Sequence, residues 1–188
     1  MAIGCMSEVF KLCPAASVMY FDDFIQVLLN NSSTDQSSLN RNVSYGLGVL
    51  AENASADKFQ PHLKASLSAI KVMYDASEDE GAKDNCTASM AKIFEKYQQT
   101  LTESEFEECF AHIMSQIPLK GDPAENETML KLVMSVNSQN PTKLGPHMER
   151  VVLLTLNILT SEECRKTIEE PFKVMTAQYI KNVICADQ

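Results

Sequence analysis

Gly46-Leu47-Gly48-Val49-Leu50-Ala51 fits the G-x-G-x-x-A spacing of a dinucleotide-binding turn. Such a turn needs a strand before it and a helix opening at the glycines, so that backbone N–H groups face a pyrophosphate. Here the segment follows polar Ser37 to Asn42 and lies inside a helical pattern, so small residues that let helices approach closely are expected instead. Asp75-Ala76-Ser77-Glu78-Asp79-Glu80-Gly81 hints at a calcium loop. An EF-hand loop needs glycine at its sixth position and glutamate at its twelfth; counted from Asp75, those are Glu80 and Cys86. Glu108 and His112 stand four apart on one helix, whereas a di-iron bundle uses Glu-x-x-His at three. His62 and His147 each follow a proline and have no carboxylate at ligand spacing, so packing or capping is expected of all three histidines. The six cysteines form no C-x-x-C pair, which argues against structural zinc. No G-x-S-x-G, P-loop or H-E-x-x-H occurs. Neither enzyme, cofactor nor metal is therefore expected. A helical nucleotide-dependent enzyme built around Gly46 and Gly48 is the remote alternative.

What the chain offers in quantity is carboxylate. It has 188 residues, with 16 Lys plus Arg against 25 Asp plus Glu and a formal charge of −9. Residues 1–74 carry −1, residues 75–127 carry −9 and residues 128–188 carry +1, so the whole imbalance sits in the middle. That balance argues against direct nucleic-acid binding, which needs a surplus of cations over phosphates, and against anionic membranes. It leaves room for basic partners, whose approach an acidic field accelerates. The acids fall in runs: Glu78-Asp79-Glu80, then Glu103, Glu105, Glu107 and Glu108, then Asp122, Glu125 and Glu127. Solubilising an exposed face is the plain reading of such runs. Holding a Lys/Arg-rich segment is the functional one.

The elements that must position these acids are helices. There is no Trp, with 6 Gly, 7 Pro and 10 Met, and apolar residues recur at three- and four-residue spacing nearly everywhere. The spacing predicts helices over 2–12, 16–30, 38–53, 57–75, 82–99, 103–117, 123–138, 143–160 and 161–184. Pro14 stops the first, Pro171 kinks the last, and the polar stretch Asn30 to Ser38 is a loop. Met73, Met90, Met114, Met129, Met134, Met148 and Met175 are expected mainly in the core, with an adaptable groove as the alternative. No apolar run reaches 18 residues, so no membrane span is expected. The start lacks a signal peptide, which makes triplets such as Asn42-Val43-Ser44 incidental to glycosylation. The scattered cysteines suit reduced, mostly buried thiols of cytosol or nucleus.

A period emerges. Asn42, Asn85 and Asn126 each follow a charged residue near the start of a second helix, 43 and 41 residues apart. Pro61-His62 and Pro146-His147 lie about two such periods apart. The helices group as pairs at about 16–53, 57–99, 103–138 and 143–184, after a partial helix at 2–12. Two-helix units of this length are those of HEAT and armadillo arrays. The expected fold is all-α, an α-solenoid of about four HEAT-type pairs plus a leading half repeat. A plain helical bundle is the alternative.

Arg41-Asn42-Val43-Ser44-Tyr45-Gly46-Leu47-Gly48-Val49-Leu50-Ala51-Glu52 resembles a repeat helix of the importin beta (karyopherin beta) family. Lys83 to Ile93, Ile117-Pro118-Leu119-Lys120-Gly121-Asp122 and Asn140-Pro141 follow in the family's order and spacing. The likeness runs from about residue 2 to 184 and is nearest the branch that imports histones and ribosomal proteins. It implies a C-terminal piece of a longer nuclear import receptor, moving between cytoplasm and nucleus. Basic protein cargo would be its partner, with Ran–GTP and nucleoporins engaged by the intact receptor. The family's N-terminal Ran-binding repeats have no counterpart here. No cargo motif carries over residue by residue. The candidate contacts, Glu78, Asp79, Glu80, Asp84, Glu125 and Glu127, are chosen as acids near the starts of second helices. A HEAT scaffold subunit of another complex is the alternative.

Overall fold

The structure is a computed structural model and describes residues 2–32 and 36–184. Every regular element among these residues is helical. The chain runs α1 (Ala2–Leu12), α2 (Pro14–Met19), α3 (Phe21–Asn30), α4 (Ser37–Asn53), α5 (Ala56–Phe59), α6 (Leu63–Ala76) and α7 (Glu80–Tyr97). It continues through α8 (Glu103–Gln116), α9 (Asn126–Gln139), α10 (Met148–Thr160), α11 (Glu162–Thr167) and α12 (Glu170–Tyr179).

The boundaries follow local chemistry. Asp79 caps α7 by accepting from the Ala82 N–H at 2.7 Å, and Ser161 caps α11 by accepting from Cys164 N–H. Thr102 and Glu105 form a reciprocal capping box at α8. The prolines explain where the expected helices differ from the observed ones. Pro14 opens α2 instead of merely ending α1, and the helix expected over 16–30 divides at Tyr20. A 3-10 turn at Gln60–His62 interrupts 57–75, and another at Pro141–His147 delays α10 to Met148. Pro171 does not kink a continuous helix. The chain extends at Ile168 and Glu169, and Pro171 sits in the first turn of α12. There its missing N–H costs nothing, because the first N–H groups of a helix have no internal partner.

Helices α1, α4, α7 and α9 form one row, each packed on the next. Flanking this row, α3 lies on α4, α6 and α8 lie on α7, and α10 lies on α9. The centre is α4 against α7. Residues 85–91 of α7 are all buried, because neighbours cover almost its whole circumference. Buried apolar side chains, among them Leu47, Ile70, Phe94, Phe110, Leu130 and Leu154, form one continuous cluster along the molecule. Each large side chain so buried contributes roughly 1.5–3 kcal/mol. Together this is an all-α helical repeat solenoid, in which single layers could not bury their apolar faces alone.

The glycines decide how close the rows come. A Cβ on Gly46 would stand 2.8 Å from both Leu28 Cδ2 on α3 and Ser7 Oγ on α1. On Gly48 it would lie 3.0 Å from Ser89 Oγ and 3.2 Å from Ser89 Cα on α7. The G-x-G-x-x-A segment is thus the middle of α4, buried, with no strand before it among the described residues. Met73, Met90, Met114 and Met129 are buried, and Met134, Met148 and Met175 pack partly against the core.

Candidate binding surface

Two polar ladders tie the row together. In the first, the Tyr45 hydroxyl on α4 donates to Glu8 on α1 at 2.8 Å. The Lys92 ammonium of α7 lies 5.5 Å from the centre of the Tyr45 ring and pairs with Glu125 at 3.2 Å. Only 10% of the Lys92 side chain and 16% of the Glu125 side chain are exposed. Thr128 on α9 donates to the same Glu125 carboxylate. Burial, first, and then the hydrogen bond and charge of Glu8 push the Tyr45 phenol well above its ordinary range.

The second ladder crosses from α4 to the loop 117–125. Asp84 accepts from the backbone N–H groups of Gly121 at 2.6 Å and Asp122 at 3.0 Å. Asp122 in turn accepts from Arg41 and from Asn85, both at 3.0 Å. Burial raises the Asp84 pKa and the backbone N–H groups pull it back. Asn126 grips the same loop, accepting from Leu119 N–H and donating to Leu119 C=O and Pro123 C=O. The recurring asparagines thus have inward structural work. Asn85 and Asn126 hold turns, and the Asn42 amide lies against Gly4 of α1.

This placement divides the six candidate acids. Glu78 and Glu80 are exposed in the link between α6 and α7 and at its end. Asp79, though exposed, spends one oxygen on its cap. Asp84 and Glu125 are engaged within the ladders, and Glu127 pairs with Lys131 at 2.7 Å. Glu105 binds Lys64, and Glu103 and Glu107 both bind Lys143, so the α8 run is also largely matched by cations.

Sequence reasoning did not single out Glu52 and Glu95 as contacts. Glu52 is exposed near the end of α4, and Glu95 is half-buried on the neighbouring α7. Burial, and then the Glu52 charge, raise the Glu95 pKa, while Lys131 on α9 opposes the rise. Lys96 donates to the carbonyls of Ala51, Glu52 and Ala54 at 2.8, 2.8 and 2.6 Å, closing the end of α4. Glu52 on α4 and Glu95 on α7 thus act on each other across two packed helices, and Lys131 on α9, paired with Glu127, acts on Glu95 from the other side. The missed signal was positional: both residues lie near the ends of their helices, while the candidates were chosen near the starts.

The other chemistry-bearing residues have packing partners. His62, His112 and His147 lie against the rings of Phe21, Tyr74 and Phe110, at 5.8, 5.0 and 5.3 Å. Burial lowers the His112 pKa. Among the described residues, Cys86 and Cys164 are buried and Cys109 is half-buried, but Cys5 and Cys13 are exposed. The expectation of mostly buried thiols is thus corrected at Cys5 and Cys13. Cys185 lies outside the described residues. Burial pushes the Cys86 thiol up to about 11 and the Cys109 thiol up to about 12. No group of three or more His, Cys, Asp or Glu among the described residues could hold a metal ion. None of the described helices is long and apolar enough to cross a membrane. A groove of about 450 Å³ between α6 and α8 has an apolar floor of Leu67, Met90 and Leu101.

Comparison with known proteins adds a distant likeness. Over 143 residues, 76% of the chain, it is 25% identical to Importin-4 of Mus musculus. The chain is similar to the importins. It is 23% identical to Importin-4 of Homo sapiens over 82% of its length. Against the probable importin subunit beta-4 of Schizosaccharomyces pombe it is 19% identical over 95%. The matched stretch covers only 13%, 14% and 17% of these importins, respectively. No family model matches the chain, and no solved structure matches it.

Proposed function

We propose that the chain is a segment of a nuclear transport receptor that binds basic protein cargo, and that it works by binding and not by catalysis. The observation that carries this reading is the pair of neighbouring carboxylates Glu52 and Glu95 on the packed helices α4 and α7, one exposed and one half-buried. Two like charges near each other and partly out of water raise the cost of ionisation, which a partner's Lys or Arg relieves. The exposed Glu78 and Glu80 offer a second acidic patch at the opposite end of α7, in the link before it. The likeness to importins supports the cargo class, with histones and ribosomal proteins as its members. It also supports a solenoid of pairs at about 16–53, 57–99, 103–138 and 143–184. Ran–GTP and nucleoporins would engage the longer receptor, between cytoplasm and nucleus.

The test is titration of the chain with a histone tail and with a basic ribosomal segment across a salt series. Binding that weakens steadily as salt rises is expected. Replacing Glu52, Glu78 or Glu80 by Gln should each weaken it about two- to fivefold, the scale of an exposed ion pair. Absence of binding at low salt overturns the reading. A scaffold role in another complex has one observation in its favour: Asp84, Asp122 and Glu125 are spent on holding the solenoid together.

A further inference from the structure

Beside the first turn of α12, a groove of about 540 Å³ opens, lined by Glu127, Thr167, Glu169, Pro171, Phe172 and Met175. It lies at the break at Ile168 and Glu169, where helix α12 starts afresh at Glu170 and packs on α10. The volume falls within the roughly 300–1,000 Å³ of ordinary ligand clefts. The walls are of two kinds. Pro171, Phe172 and Met175 are apolar, and methionine adapts its shape to what it meets. Glu127 in the first turn of α9 and Glu169 within the break supply carboxylates.

The chain already places a cation here. Lys131 pairs with Glu127 at 2.7 Å, stands 5.7 Å from the centre of the Phe172 ring and acts on Glu95. A cation between a carboxylate and an aromatic face gains from both. Yet the Lys131 side chain is 54% exposed and its pair with Glu127 is a surface i,i+4 pair. Such pairs hold weakly and exchange readily.

We propose that this groove takes a Lys or Arg together with an adjoining apolar side chain from an extended partner segment. The partner's cation displaces Lys131 from between Glu127 and Phe172, and its apolar neighbour seats on Pro171 and Met175. This rests on the reading that the chain binds basic protein segments, and adds a local side-chain preference to it. Lys131 is a placeholder that keeps the site satisfied while empty of a partner.

Two fluorescent peptides of equal length and charge test this, one alternating Arg with Leu and one alternating Arg with Gly. Their anisotropy is titrated with the full chain at a single salt concentration. The Arg/Leu peptide is expected to bind several-fold more tightly. Met175→Ser should weaken Arg/Leu binding more than Arg/Gly binding and so narrow that advantage, with thermal melting as the check that the variant is folded. Lys131→Ala should tighten Arg/Leu binding more than Lys71→Ala does. Lys71 pairs with Asp75 in a comparably exposed i,i+4 bridge on α6 and lines the α6–α8 groove, so it controls for charge alone. Equal affinities for the two peptides, or equal effects of the two lysine substitutions, overturn the groove. If Arg/Gly still binds with steep salt dependence, the wider reading survives that loss. If neither peptide binds, both fall together.

Discussion

The most consequential single contact is Lys92 with Glu125. Neither partner reaches much solvent, so removing one leaves the other charged and unmatched. Breaking such a pair costs more than the pair itself contributes. Lys92→Ala is expected to destabilise the chain by roughly 3 kcal/mol in urea unfolding, and the Lys92→Met, Glu125→Gln double variant by clearly less than the sum of its singles. Glu95 offers a pH test. Its folded pKa is raised, so the folded state holds the proton longer than the unfolded chain does. Its ionisation therefore lowers stability as pH rises from the ordinary glutamate value near 4.5 through the raised one. Glu95→Gln should stabilise the chain at neutral pH and lose that advantage below pH 4.5. Glu52→Gln should bring the Glu95 titration, followed by carboxyl NMR, back toward its ordinary position. Glu105 behaves oppositely: Lys64 and the Thr102 cap hold its carboxyl down at about 2. Lys64→Met should raise it.

Among elements, the loop 117–122 is held against the start of α7 with no room to spare. A Cβ on Gly121 would lie 2.5 Å from Gly81 N and 2.8 Å from Gly81 Cα, both backbone atoms. The corresponding clash at Gly48 is milder and partly against a Ser89 hydroxyl that can turn. Gly121→Ala is therefore expected to cost roughly 2–3 kcal/mol and Gly48→Ala less, read from chemical denaturation. Thr102→Ala should cost about 1 kcal/mol through the lost cap of α8. The helices themselves were legible because apolar spacing recurs at each buried face: of the stripe Phe59, Leu63, Leu67, Ile70 and Met73, four are buried and Leu67 is partly so. The breaks were less so. Pro141 pointed to a break and Pro171 to a kink, while the 3-10 turn at Pro61 fell inside a helix expected to be continuous, and only packing decided whether each proline opened a 3-10 turn or a fresh helix. The side of the helix that an acid faces was legible for none of the six candidates, since ladders such as Asp84 to Gly121 join residues 37 apart in sequence.

At the scale of the whole molecule, stability should grade from the centre outward, because each layer is held by its neighbours. Amide hydrogen exchange is expected to be slowest in α4 and α7, covered on several sides, and fastest in α1, α2 and α12. Uniform protection along the chain would contradict a row of stacked layers. The net charge of −9 also takes on a different look. Much of the acidic middle is matched internally by Arg41, Lys64, Lys92, Lys131 and Lys143, which leaves Glu78, Glu80, Glu95 and Glu108, with Glu52 beside Glu95, to act outward. The ladder from Glu8 through Tyr45 and Lys92 to Glu125 has a mechanical consequence. Directed polar contacts resist stretching, whereas apolar surfaces such as Leu67 and Leu101 slide past one another. Bending is therefore expected to change the gap between α6 and α8 more than the spacing of α1, α4, α7 and α9, a difference that distances between spin labels on those helices would read.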